Sequence, residues 1–105
     1  MKVLLDQGTP APLRHELVGH VVTTAREMGW DQLRNGELLL AAEGTFDVFI
    51  TTDQNLKYQQ NLSDRRLAIV VLTTTSWPRI KVSIQRVRTA VDAVVPGAFV
   101  EVEIE

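Results

Sequence analysis

The chain has 105 residues, 45% of them apolar and 23% charged, which is the composition of one folded domain around one core. Cysteine is absent, which excludes disulfides, thiolate metal sites and a cysteine nucleophile, and the two histidines, His15 and His20, are too few for a histidine-built metal site. The net charge of −2 hides a division: residues 1–56 carry −4, residues 57–88 carry +6 and residues 89–105 carry −4, a pattern compatible with a carboxylate site beside a basic surface.

No apolar run approaches the length of about 18 residues that spans a membrane. The start Met1–Asp6 is too short and too soon acidic for a signal peptide. A cytoplasmic protein forming a single domain over residues 1–105 is the expectation.

In chain order, Val3-Leu4-Leu5 is a short apolar run that predicts a buried strand ended by Asp6. After the Gln7-Gly8 turn, Thr9 can cap a helix with Pro10 at its first position, running to Val18 and stopped by Gly19. The β-branched stretch His20–Thr24 predicts a second strand. Residues 25–34 are mixed and predict a loop broken at Gly29-Trp30. Asn35 can cap a helix over Gly36–Glu43 that Gly44 ends. Val48–Thr51 predicts the third strand, Asp53-Gln54-Asn55 a turn, and residues 56–64 a loop with a short helix. Leu67–Leu72 is the clearest buried strand, apolar on both faces. Pro78 opens a long helix to Val95, whose Ile80, Ile84, Val87, Val91 and Val94 form one face. After Pro96-Gly97 the segment from Phe99 alternates Glu101 and Glu103 with Val100, Val102 and Ile104, the pattern of an edge strand whose glutamates discourage edge pairing.

Strands alternating with helices predict an α/β fold: a three-layer sandwich with a mainly parallel sheet of four to five strands. In such sheets ligands bind beyond the carboxyl ends of the strands. Asp6 ends the first strand, Asp53 follows the third by two residues, and Glu37 lies in the first turn of the helix that runs back toward the third. If the first and third strands are neighbours, the three carboxylates meet at one edge. Asp47 and His20 fall at strand starts, on the opposite edge. Clustered carboxylates are hard ligands that suit Mg²⁺ or Mn²⁺, and such an ion can activate water and neutralise a phosphodiester. The basic segment offers Lys57, Arg65, Arg66, Arg79 or Lys81 to a nucleic-acid backbone. Each residue also has a plain structural reading. Asp6 can bond loop amides, Glu37 suits the helix dipole, Asn35 can be a cap, Asp53 is a common turn residue, and Trp30 and Trp77 are packing anchors.

The stretches Lys2–Asp6, Gly19–Thr24, Asn35–Leu39 and Asp47–Leu56 resemble the small PIN-like family of bacteria, which is similar to the VapC-type toxin ribonucleases. The resemblance spans roughly residues 2–72. It implies an α/β sandwich with a parallel sheet and an acidic site that binds Mg²⁺ or Mn²⁺ and cleaves RNA. It matches Asp6 to the family's first-strand aspartate and Thr51-Thr52-Asp53 to its Thr-x-Asp, making Asp53 a ligand and Thr51 or Thr52 a hydroxyl near metal or phosphate. Where many relatives carry an aspartate, this chain has Asn35, with Glu37 two residues on; either can supply an oxygen. Gln7 stands where relatives often have a second acid. With Asn55, Lys57, Arg65 and Arg66 as further substrate contacts, the resemblance implies a metal-dependent endoribonuclease (a hydrolase) of a toxin–antitoxin pair. Its partners would be RNA, an antitoxin protein and a second copy of the chain. The alternative, motivated by Asn35 and Gln7, is a non-catalytic module that binds RNA or a protein. A receiver-like phosphate-accepting domain shares the architecture but wants a lysine after a late strand, where Leu67–Leu72 is followed by Thr73-Thr74-Thr75.

Overall fold

A computed structural model describes residues 1–56 and 65–104. Within them the chain is an α/β fold built on five strands: β1 (Lys2–Leu5), β2 (Val21–Thr24), β3 (Val48–Thr51), β4 (Ala68–Leu72) and β5 (Phe99–Val102). They form one sheet in the order β2-β1-β3-β4-β5, and every neighbouring pair is parallel. The apolar runs that predict strands are buried on both faces: Val3, Leu4 and Leu5, then Val48, Phe49 and Ile50, then Ala68 to Leu72. Such a sheet needs cover on each side.

One face is covered by a 3-10 turn (Ala11–His15) and two helices, α2 (Trp77–Val82) and α3 (Ile84–Ala93), whose Leu13, Ile80, Val87 and Val91 join Val3, Leu5, Val48, Ile50 and Val70 in one core. The other face is covered by α1 (Asn35–Ala42), whose Leu38, Leu39 and Ala42 pack with Leu4, Phe49, Ile69 and Val71. Trp30 packs against this second core and meets Phe46 edge to face at 6.0 Å. Trp77 is half-buried against the first. Both tryptophans therefore anchor packing, as expected.

Three expected elements differ in form. The helix expected over Thr9–Val18 is a single 3-10 turn, held by i→i+3 bonds from Leu13 N to Pro10 O and Glu16 N to Leu13 O. Pro10 and Pro12 remove two of the donors that an α-helix would use. The helix α1 starts one residue early: Arg34, in extended conformation, occupies the cap, and Glu37 Oε1 accepts its N–H at 3.3 Å. The long helix expected from Pro78 is split at Ser83, which leaves helical geometry (φ −101°, ψ 20°). The apolar stripe survives the break, with Ile84 and Val94 half-buried beside Val87 and Val91. The short helix expected over 56–64 lies outside the described residues except for Leu56, which is buried against the α1 face.

The order of strands fixes where the chain reverses. From β1 it steps outward to β2, then crosses back over β1 to β3 and continues to β5. The link from β1 to β2 lies on the α2–α3 face, and the link from β2 to β3 lies on the α1 face. Opposite steps on opposite faces have the same hand. The link from β4 to β5 steps the opposite way to that from β1 to β2, yet lies on the same face, so its hand is the reverse of the first two. Parallel crossovers are right-handed in about 98% of cases, so a sheet that mixes both hands contains at least one departure from the rule.

Turns pin the sheet's ends. Glu27 closes the turn after β2. Its carboxyl is held below the usual range first by the Thr24 N–H and then by the Arg14 guanidinium, which reaches it at 2.8 Å. Among the described residues no helix is long and apolar enough to cross a membrane.

Gly97 enters β5 with φ +79°, and a Cβ there would lie 2.6 Å from the carbonyl oxygen of Arg65. Gly19 also has positive φ (+90°) but open space around it. Gly19→Ala should cost about 1 kcal/mol of backbone strain. Gly97→Ala should cost that plus about 1–3 kcal/mol of steric displacement. Urea denaturation of the two variants checks this; equal losses would contradict it.

Candidate functional site at the sheet reversal

β1 and β3 are adjacent, with Leu5 opposite Ile50. The ladder runs one step further, from Asp6 N to Ile50 O at 2.9 Å. The first and third strands are thus the neighbours that convergence of the carboxylates requires. They flank the point where the strand order reverses, the place where open α/β sheets form a crevice beyond their carboxyl ends.

Asp6 is half-buried there. Its Oδ2 accepts a hydrogen bond from the Thr51 hydroxyl at 2.7 Å, and its Oδ1 accepts one from Gln7 N at 2.8 Å. The Thr51 oxygen in turn accepts from Asp53 N at 3.1 Å. One hydroxyl therefore ties the first aspartate to the backbone of the second. Asp53 Oδ1 accepts Asn55 N at 3.0 Å, closing the turn that carries it. Thr9 returns the chain toward the same spot: its N–H donates to Asp6 O at 3.0 Å and its hydroxyl to Ile50 O at 3.3 Å.

Among the described residues, the buried polar side chains are Thr9 and Thr51. Both lie beside Asp6, and no buried side-chain polar atom there lacks a partner. Burying a hydroxyl is tolerated only when it is hydrogen-bonded. Of the two, the Thr51 hydroxyl supports the Asp6 carboxylate itself, and Thr9 bonds the backbone carbonyls of Asp6 and Ile50. Thr52 faces the Gly8 turn, where a Cβ on Gly8 would come 3.4 Å from its Oγ1. The Gln54 side chain donates to Thr73 O at 3.0 Å, which moors the Asp53 turn to the end of β4.

The other expected site residues fall differently. Glu37 is exposed at the start of α1, on this same edge, but its carboxylate accepts Arg34 N and so serves its own helix. Asn35 is the first residue of α1; its side chain, like all of Lys57, lies outside the described residues. Arg65 and Arg66 precede β4, so they stand at the amino edge of the sheet, opposite Asp6. There Arg66 N donates to Glu43 Oε1 at 2.8 Å. Arg79 lies in the first turn of α2, which follows the carboxyl end of β4. Asp47 and His20 lie at the amino edge as expected: Asp47 accepts Lys2 N at 2.8 Å and His20 Nε2 meets Asp92 at 2.7 Å.

Among the described residues no group of three or more histidine, aspartate or glutamate side chains stands close enough to hold an ion. The carboxylates the structure links are two, Asp6 and Asp53. Thr9 and Gln54 were not singled out as site residues from the sequence. The spacing Asp6-x-x-Thr9, read as a helix cap, was the available signal for the first.

Thr51→Val keeps the volume but strands the Asp53 N–H and takes a donor from Asp6. It should cost about 1–3 kcal/mol. Thr51→Ser keeps the hydroxyl and loses one methyl, costing about 1 kcal/mol. Equilibrium urea denaturation should therefore rank Ser above Val, the reverse of what burial of apolar volume alone would give.

Compared with protein-family models, curated proteins and solved structures, the chain finds no match.

Proposed function

We propose that the chain is a metal-dependent endoribonuclease of PIN-like type, acting at the carboxyl edge between β1 and β3. The observation that carries this reading is the Asp6–Thr51–Asp53 linkage, in which a fully buried hydroxyl orients one carboxylate and the backbone of another. Two carboxylates with nearby hydroxyls form a hard oxygen donor set that fits Mg²⁺ or Mn²⁺ with water completing the shell. Such an ion, when bound, supplies a water of lowered pKa and neutralises charge on a phosphodiester.

The chain's own residues do the rest. Asp6 and Asp53 would hold the ion. Thr51 keeps Asp6 aimed by donating to it, and Gln54 holds the Asp53 turn in place. Glu37 and Asn35, at the start of α1 on the same edge, would complete the acidic rim. Thr52 and Asn55 would border the site as contacts for the RNA backbone, and Arg79 and Lys81 of α2 would add positive charge for it. Arg65 and Arg66, at the other edge, would meet only RNA that wraps around the domain. Under the resemblance to toxin ribonucleases, an antitoxin protein would silence the site, and a homodimer is the companion expectation.

A specific observation favours the second reading, a binding module without cleavage. Both Asp6 oxygens and one Glu37 oxygen already accept hydrogen bonds from the chain itself.

Purified protein incubated with RNA and Mn²⁺ should cut it. Asp6→Asn and Asp53→Asn should each lower the rate by at least about 100-fold, the scale of losing one electrostatic group at a reacting centre. Wild-type protein that leaves RNA intact while binding it would favour the module, and variants that cut as well as wild type would overturn the assignment of these aspartates.

A further inference from the structure

The amino edge of the sheet holds a cavity of about 390 Å³, at the small end of the roughly 300–1,000 Å³ typical of ligand pockets. It opens between the loop before β3, the entry to β4 and the loop from α3 to β5. Its apolar wall draws on both cores: Phe46 and Leu67 belong to the α1 side, and Val94 packs on the α2–α3 side. Two opposite charges, Asp47 and Arg66, line the same space. Their backbones are fixed. Arg66 N donates to Glu43 Oε1 and Arg66 O accepts from Gly97 N, both at 2.8 Å. Asp47 N donates to Lys2 O at 2.8 Å, and Asp47 O accepts from Ala68 N at 3.0 Å. Lys2 N also donates to Asp47 Oδ2 at 2.8 Å, which orients that carboxylate without neutralising it. The Arg66 guanidinium is exposed and bonds to no side chain or backbone group among the described residues, Asp47 included. Glu43, the other acid of the lining, places its two oxygens on the Arg66 and Leu67 N–H groups. The amino group of Met1, which also lines the cavity, is held on His20 Nδ1 at 3.2 Å.

We propose that this cavity binds a free α-amino acid with an apolar side chain. Its carboxylate meets the Arg66 guanidinium, whose planar fork of donors suits a carboxylate bidentately. Its ammonium meets the Asp47 carboxylate, with the exposed Thr45 hydroxyl of the same lining as a further acceptor. Its side chain lies against Phe46, Leu67 and Val94, where burial of apolar surface adds to the two charge contacts. A simple anion would meet Arg66 but be repelled by Asp47, and a simple amine would meet Asp47 but be repelled by Arg66; a zwitterion satisfies both. The spacing favours the α form. Val48 stands opposite Ala68, so one step back Asp47 stands opposite Leu67, next to Arg66, on strands about 4.8 Å apart. The ligand's two charges must therefore be close together, as they are when one carbon carries both. The cavity lies at the edge opposite Asp6, so the proposal is independent of the ribonuclease reading.

The test titrates the full chain with phenylalanine and leucine at millimolar concentration, following backbone amides by NMR. The expected result is saturable shifts at Phe46, Asp47, Leu67 and Val95. Three further probes separate the contacts on the unaltered protein: N-acetylphenylalanine lacks the ammonium, phenylalanine amide lacks the carboxylate, and glycine lacks the apolar side chain. Each should bind at least about 10-fold more weakly, the scale of losing one hydrogen bond to a charged group or one buried side chain. Arg66→Gln, and Asp47→Asn, which keeps an acceptor for Lys2 N, should each weaken phenylalanine by a similar factor with the urea midpoint kept. No shifts with either amino acid, shifts centred away from this cavity, or equal binding of any of the three probes would each overturn the proposal.

Discussion

The constraint on which the structure depends is burial of the central strands on both faces. β1, β3 and β4 contribute no exposed side chain from Val3, Leu4, Leu5, Val48, Phe49, Ile50 or Ala68 to Leu72. Their backbone groups are satisfied sideways, by the parallel ladders. A polar side chain in these strands has nowhere to go except the ends. That is where it is found: Thr51, the last residue of β3, is fully buried and bonded to Asp6, the first residue past β1. The apolar sheet therefore sorts chemistry to its edges, and the strand order selects one edge location by placing the reversal between β1 and β3.

This sorting explains how much was legible beforehand. Val48–Thr51 and the stretch ending at Leu72 read as strands to within a residue, because an unbroken apolar run of that length has few other uses in a small α/β domain. Asp6 and Asp53 were legible as edge residues for the same reason, since Asp6 directly follows such a run and Asp53 comes two residues after the strand built on another. Strand order was not legible, because nothing in the residues of β1 says which neighbours flank it. The break at Ser83 escaped because the stripe Ile80, Ile84, Val87 and Val91 keeps its helical spacing across the interruption. The mixed handedness of the crossovers is a property of the whole path and has no local signature.

The positive segment shows where charge along a chain misleads. Residues 57–88 read as one basic surface, but β4 runs through the middle of them. Arg65 and Arg66 enter that strand and Arg79 follows it, so they belong to opposite edges, separated by five strand residues or about 17 Å. The acidic end of the chain behaves in the opposite way. Glu101 and Glu103 are close in sequence and stay close in space, on one face of an outer strand. A short-range pattern in a strand survives folding, whereas a net charge summed over thirty residues does not.

The central claim is that the Asp6–Thr51–Asp53 edge is the one built to hold a divalent cation. The amino edge carries its own carboxylates, Glu43 and Asp47, which accept the N–H groups of Arg66, Leu67 and Lys2 but lie away from the sheet reversal between the carboxyl ends of β1 and β3. Paramagnetic broadening of backbone amides by substoichiometric Mn²⁺ compares the two edges in one experiment. The account predicts loss of signal centred on Asp6 to Thr9 and Thr51 to Asp53, with Asp47 and Ala68 unaffected. Broadening centred on Glu43 and Asp47, or none at either edge, would contradict it.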